Sequence, residues 1–216
     1  MPNPPPVPTM NYAGASAVSS TADQRFGHTQ YIIRKKVFKL LGAAFHVYDT
    51  AGNVLMYSKQ KAFKLKEDIR LYTGEDMSQE VLTIQARSII DFGATYDVMD
   101  SAKRTKVGAL RRKGMKSFVR DEWLILDAND REIGLVQEES AMLGLVRRFV
   151  EAAAFLFPQK YLVSIGGKPV AQFKQTFNPI VYKLHVNIFA DGAALLDRRM
   201  ALAAAIMMAA VEGKQA

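Results

Sequence analysis

The sequence predicts a mainly β protein: a closed barrel of about twelve strands around a buried apolar C-terminal helix. Three observations lead there. Residues Gly192 to Glu212 read GAALLDRRMALAAAIMMAAVE, and Met200 to Val211 carry no polar side chain. A helix apolar on all sides must be surrounded by protein or lipid. Nearly everything upstream reads as short strands joined by polar turns. Finally, eight alanines lie between Ala193 and Val211, keeping the helix thin enough for a barrel lumen.

Residues 1–29 are predicted to be a disordered, Pro-rich tail, with the barrel domain occupying 30–216. Five prolines fall in the first eight residues, and AGASAVSSTADQ follows. That composition buries too little apolar area to offset its ordering entropy. Pro2, Pro5 and Pro8 make overlapping PxxP spacings, but such short patterns arise often by chance. The start lacks a basic n-region and an apolar h-region, so a cytoplasmic protein is expected.

Strand signals begin with the basic run Tyr31 to Leu40. Ala43–Tyr48 enters the turn cluster Asp49-Thr50-Ala51-Gly52-Asn53 and leaves through Val54–Tyr57, a hairpin pattern. The unit recurs at Tyr96–Asp100 with Lys106–Leu110, Trp123–Asp127 with Glu132–Gln137, and Tyr161–Ile165 with Val170–Phe173. Ile69–Thr73, Val81–Arg87 and Val181–Ile188 complete about a dozen strands. Leu82, Ile84 and Ala86 alternate with Thr83, Gln85 and Arg87, as on a half-buried strand. Tyr182, Leu184, Val186 and Ile188 alternate likewise with Lys183, His185 and Asn187.

One extra helix is predicted near 140–157, where SAMLGLVRRFVEAAAFLF is stopped by Pro158. Its broad apolar surface suits a cap on one barrel end; a helix dipping into a membrane is the alternative. The terminal helix is expected to start behind Asp191 as N-cap and to stop at Gly213. Its unbroken apolar run is 12 residues, short of the ~20 needed to span a bilayer. Asp197, Arg198 and Arg199 fan around the axis and place its first turns in water or headgroups. No transmembrane span is expected.

This layout resembles the LURP-one-related branch of the Tubby C-terminal-like superfamily, which is similar to phospholipid scramblases. The resemblance rests on YDTAGNVLMYS, YDVMDSAKRTKVGALRRK, LILDANDREIGLVQEES and the ending VYKLHVNIFADGAALLDRRMALAAAIMMAA, and it covers roughly residues 30–212. It implies a twelve-stranded barrel around a central helix; that the chain is a non-enzymatic binding module is expected from its lack of catalytic motifs and its basic charge. Scramblases carry an acidic calcium-binding segment before the terminal helix. Here that region holds Asp191 and Asp197 beside Arg198 and Arg199, a poor match to the six or more oxygens calcium takes. Scramblase activity is therefore not expected, and no binding residue carries over from Tubby-type phosphoinositide recognition.

No catalytic residue, metal site or cofactor is assigned. The chain has no cysteine. His28, His46 and His185 stand apart, and the two strand histidines have apolar neighbours of opposite parity, so they are expected to face solvent or a polar end of the sheet. GxSxG, Walker A and GxGxxG patterns are missing. Asp127-Ala-Asn129-Asp130-Arg131-Glu132 begins like a calcium loop but has Glu132 where glycine is required, so a hairpin turn is predicted.

Charge is the stronger clue. The net charge is +8 and the pI about 9.6, favouring anionic partners. Ser101 to Arg120 holds eight basic residues and no acid. The tentative lipid-binding set is Lys103, Arg104, Lys106, Arg111, Arg112, Lys113 and Lys116. A second cluster comprises Lys59, Lys61, Lys64 and Lys66. Each cation near an anionic membrane adds ~1 kcal/mol at most, so four to six would attach a monomer peripherally and reversibly. Nucleic acid or a protein partner is the alternative. Interleaved aromatics for base stacking are lacking, Phe118 being the only one between Lys103 and Arg120.

Overall fold

A computed structural model describes residues 24–38, 42–60, 68–87, 94–113, 122–139, 159–176 and 181–212. It contains β1 (Gln30–Phe38), β2 (Gly42–Tyr48), β3 (Val54–Gln60), β4 (Asp68–Tyr72), β5 (Glu80–Ala86) and β6 (Thr95–Asp100). These are followed by β7 (Thr105–Arg112), β8 (Glu122–Leu126), β9 (Glu132–Glu138), β10 (Lys160–Ile165), β11 (Lys168–Thr176) and β12 (Tyr182–Ile188). The last element is helix α1 (Arg198–Glu212). Each strand pairs antiparallel with its chain neighbours, and β12 returns to β1, closing the barrel. The predicted fold class is therefore the observed one. The segment 140–157, expected to form an extra helix, lies outside the described residues.

Period-two patterning makes this wall. Tyr31, Ile33 and Lys35 of β1 point inward, as do Leu184, Val186 and Ile188 of β12. Arg34, Lys183 and His185 take the outer parity. Five hairpins each carry a register shift close to the turn, as between Val47 and Tyr48 and between Val98 and Met99. Bulges sharpen local twist and help a twelve-stranded sheet curl shut. The described hairpin turns all lie at one end of the barrel. Upstream of residue 30 the wall has further cover, since Phe26 packs against the core and Thr29 O accepts the Ile188 N–H.

Helix α1 fills the lumen, and every residue from Met200 to Ala210 is buried. It starts later than the sequence suggested. The N-cap is Asp197, whose carboxylate accepts the Arg199 N–H at 2.9 Å while its carbonyl accepts the Ala201 N–H at 3.0 Å. Asp191 instead belongs to a run of hydrogen-bonded turns, including Gly192 N to Phe189 O and Leu196 N to Gly192 O. The reason is packing. A Cβ on Gly192 would sit 2.3 Å from Val170 O, so the chain hugs β11 there before Asp197 launches the helix inward.

Each end of α1 is anchored. Arg198 and Arg199 oppose the helix dipole at the N-terminus. Asp197 and Asp100 offset them: Arg199 pairs with both carboxylates, reaching Asp100 at 2.6 Å. At the other end the inward Lys35 donates from Nζ to Ala209 O at 3.0 Å. The lumen also encloses phenols. The hydroxyls of Tyr161 and Tyr182 have no hydrogen-bond partner among the described residues. Burial pushes the Tyr31 phenol up to about 12 against the opposing Arg198 charge, and burial raises Tyr182 further.

Candidate functional site

The basic run selected from the sequence does not form one patch. Lys103 and Arg104 sit exposed in the β6–β7 turn, at the end of the barrel where α1 begins. Arg111, Arg112 and Lys113 lie at the opposite end of β7, roughly 23 Å away at about 3.3 Å per residue. Lys116 lies outside the described residues. Lys61, Lys64 and Lys66 of the second cluster do too, while Lys59 is exposed on β3.

Half of this run is already engaged. Lys106 Nζ contacts Asp130 at 2.6 Å and Asp97 at 3.2 Å. Arg87 joins the same two carboxylates, meeting Asp97 at 2.6 Å. Two cations and two anions thus balance on the outer face of β5, β6 and β7. Burial alone would raise Asp97, but its Arg87 and Lys106 bonds prevail and lower it. Lys106 and Arg87 hold Asp130 down as well. Lys113 pairs with Glu122 at 3.0 Å, and Arg111 Nε donates to Thr95 Oγ1 at 3.3 Å. Lys103 and Arg104 have no acidic partner among the described residues.

The calcium-like stretch is a turn, as predicted. Asp127 Oδ1 accepts the N–H groups of Asn129 at 2.9 Å and Arg131 at 3.0 Å, and Arg131 closes on Oδ2. Its carboxylate has its lone pairs committed to its own loop.

His46 differs from expectation. It takes the outer parity on β2 but is only 6% exposed. Its Nε2 meets Glu75 Oε1 at 2.7 Å, and its ring lies between Tyr48 and Tyr57. The β4–β5 turn that carries Glu75 covers it, a contact that strand alternation cannot register. His185 is exposed, as expected.

A second basic region went unrecognised in the sequence because its members are scattered along the chain. Register brings them together. Lys160 pairs across to Lys174, which pairs to His185, and Lys183 stands opposite Arg34. Desolvation, then Lys183, Lys174 and Arg34, hold the His185 imidazole below its ordinary value. Arg34 lies 4.5 Å over the Tyr48 ring, and its buried Nε has no hydrogen-bond partner among the described residues. The missed signal was the lack of Asp and Glu in the flanking strands.

No three His, Cys, Asp or Glu side chains converge on a common point among the described residues. None of the described helices is long and apolar enough to cross a membrane.

Comparison with known proteins adds the lineage. No curated protein matches the chain. The crystal structure of an Arabidopsis thaliana protein is similar at 15% identity and a TM-score of 0.43, covering 82% of this chain and 89% of that one. The profile of the LURP-one-related family matches residues 54–209, well over half of the sequence and most of the barrel with its central helix, and the chain therefore belongs to the LURP-one-related family.

Proposed function

We propose that this barrel is a non-enzymatic binding module that attaches peripherally, at the cytoplasmic face, to membranes rich in anionic phospholipid or phosphoinositide. One observation carries the reading: carboxylates are largely consumed in internal pairs while many cations are not. Asp97, Asp130, Glu122, Asp100 and Glu75 all have basic partners. Lys103, Arg104, Lys160, Lys174 and Lys183 have no acidic partner among the described residues. Among the described residues these cations are thus available to an external anion. Arg104 holds a left-handed φ of 53° at the hairpin tip, which projects the Lys103–Arg104 pair from the barrel end.

The test is co-sedimentation with phosphatidylserine or phosphoinositide vesicles, against neutral phosphatidylcholine. Binding to the anionic vesicles alone is expected at low salt. It should weaken toward physiological ionic strength, where the Debye length contracts to about 8 Å. Absence of binding at low salt contradicts the reading. Displacement by duplex DNA or RNA at far lower concentration than lipid favours a nucleic-acid binder instead.

A further inference from the structure

We propose that the barrel meets an anionic bilayer through the outer wall of β10, β11, β12 and β1, with Lys160, Lys174, Lys183 and Arg34 as the headgroup contacts. This rests on the anionic-membrane reading above and specifies where the contact is made.

The four strands are consecutive in the ring, and none contains an Asp or Glu. Their register sets like charges directly opposite one another, Lys160 against Lys174 and Lys183 against Arg34. Directly opposed like charges destabilise a sheet. The β5–β7 side of the same barrel shows the alternative, with Arg87 and Lys106 interleaved with Asp97 and Asp130. On the β10–β1 wall no such ion pair forms among the described residues. One flanking carboxylate borders the wall, where Glu139 accepts from the Gln172 amide of β11 at 3.4 Å, and Glu75 is held by His46.

The occupant follows from shape and charge. The contacts occupy two rows across four adjacent strands, a field about 15 Å wide at about 4.8 Å per strand. That is an areal array suited to a plane of headgroups. The outer neighbours Ile32, Leu162, Thr176 and Asn187 offer no aromatic face for base stacking, and Tyr48 is covered by Arg34. β1 stands six places from β7 in a ring of twelve, so a flat bilayer on this wall does not reach β7.

The probe is binding to phosphatidylserine vesicles at low salt, comparing the parent, K160Q/K174Q/K183Q and K103Q/R104Q. At roughly fivefold per headgroup contact, the triple variant should bind about 100-fold more weakly, with a parental melting curve. K103Q/R104Q should weaken binding by clearly less than the triple variant does. If the loss falls on K103Q/R104Q and the triple variant binds like the parent, this wall is not the contact, while the membrane reading stands. If the parent itself ignores anionic vesicles, both fail. If RNA or DNA outcompetes vesicles and the triple variant loses that binding, the wall is an anion site but the bilayer is the wrong occupant.

A second readout needs no substitution. His185 is flanked by Lys174 from β11, Lys183 on its own strand, and Arg34 and Ile32 from β1. Headgroup phosphates between these cations should raise the His185 pKa, read by NMR on adding phosphatidylserine bicelles. An unchanged titration in protein bound to the bicelles overturns the assignment.

Discussion

Lys35 Nζ donates a 3.0 Å hydrogen bond to the carbonyl oxygen of Ala209, 174 residues along the chain. Ala209 is among the last four residues of α1, whose carbonyls have no intrahelical partner. Strand parity turns Lys35 inward, 3% exposed and 5.8 Å from the Phe45 ring centroid. A lysine inside the barrel therefore completes the helix end and opposes its partial negative charge.

Replacing Lys35 with methionine keeps the stem and removes the donor. A charged hydrogen bond contributes about 1.5–3 kcal/mol, and a loss of that size is expected in chemical denaturation. Vesicle binding by the folded variant should be unchanged, because Lys35 faces the lumen. Parental stability would mean that the helix end is held by other contacts.

Gly108 lies close against the helix. A Cβ there would lie 2.4 Å from Leu126 O and 2.9 Å from Met200 Sδ. Met200 can shift, but the Leu126 carbonyl is part of the β7–β8 ladder. Gly108→Ala should therefore cost about 1–3 kcal/mol in urea unfolding. Trimming Met200 to alanine in the same chain should not restore stability. Restoration would place the conflict on the side chain alone.

Deleting residues 198–216 removes the lumen filling. Met200, Leu202, Ile206, Met207 and Met208 are all buried, and each large core side chain lost costs about 2–5 kcal/mol. The total exceeds the ~5–15 kcal/mol stability of a typical domain. The truncated chain should be insoluble or lack a cooperative melt. A soluble monomer with the parental transition would refute the central-helix account.

His185 makes stability depend on pH. Its native pKa lies below the ordinary 6.5, through desolvation and the charges of Lys183, Lys174 and Arg34. Between those two values the unfolded chain binds a proton that the native chain does not, so stability rises with pH. Its contribution is complete above about 6.5 and is lost as pH falls through the lower native value. His185→Gln should flatten the decline from pH 7 toward pH 5, read from denaturant midpoints. The lowered Asp97 and Asp130 act in a separate window, below the ordinary 3.8. An identical slope in parent and variant would contradict the environment assigned to His185.

The sequence by itself determined the architecture. Alternation placed Leu184, Val186 and Ile188 inside, turn residues such as Gly52 and Asn129 separated the strands, and a stretch without polar side chains could only be a core helix. These are local properties, readable within one or two turns of chain. The helix start was not legible, because Asp191 and Asp197 are equally good caps and the choice depends on Gly192 lying against Val170. The fate of individual charges was no more legible. A run of cations from Lys103 to Lys113 looks continuous in one dimension, yet strand length sends it to both barrel ends and register gives Lys106 two carboxylates. Lys160, Lys174, Lys183 and Arg34 lie up to 149 residues apart in the chain and meet only because β12 closes on β1. Charge compensation is a through-space property, so the tertiary structure alone decided which lysines are spent on the fold and which face outward uncompensated.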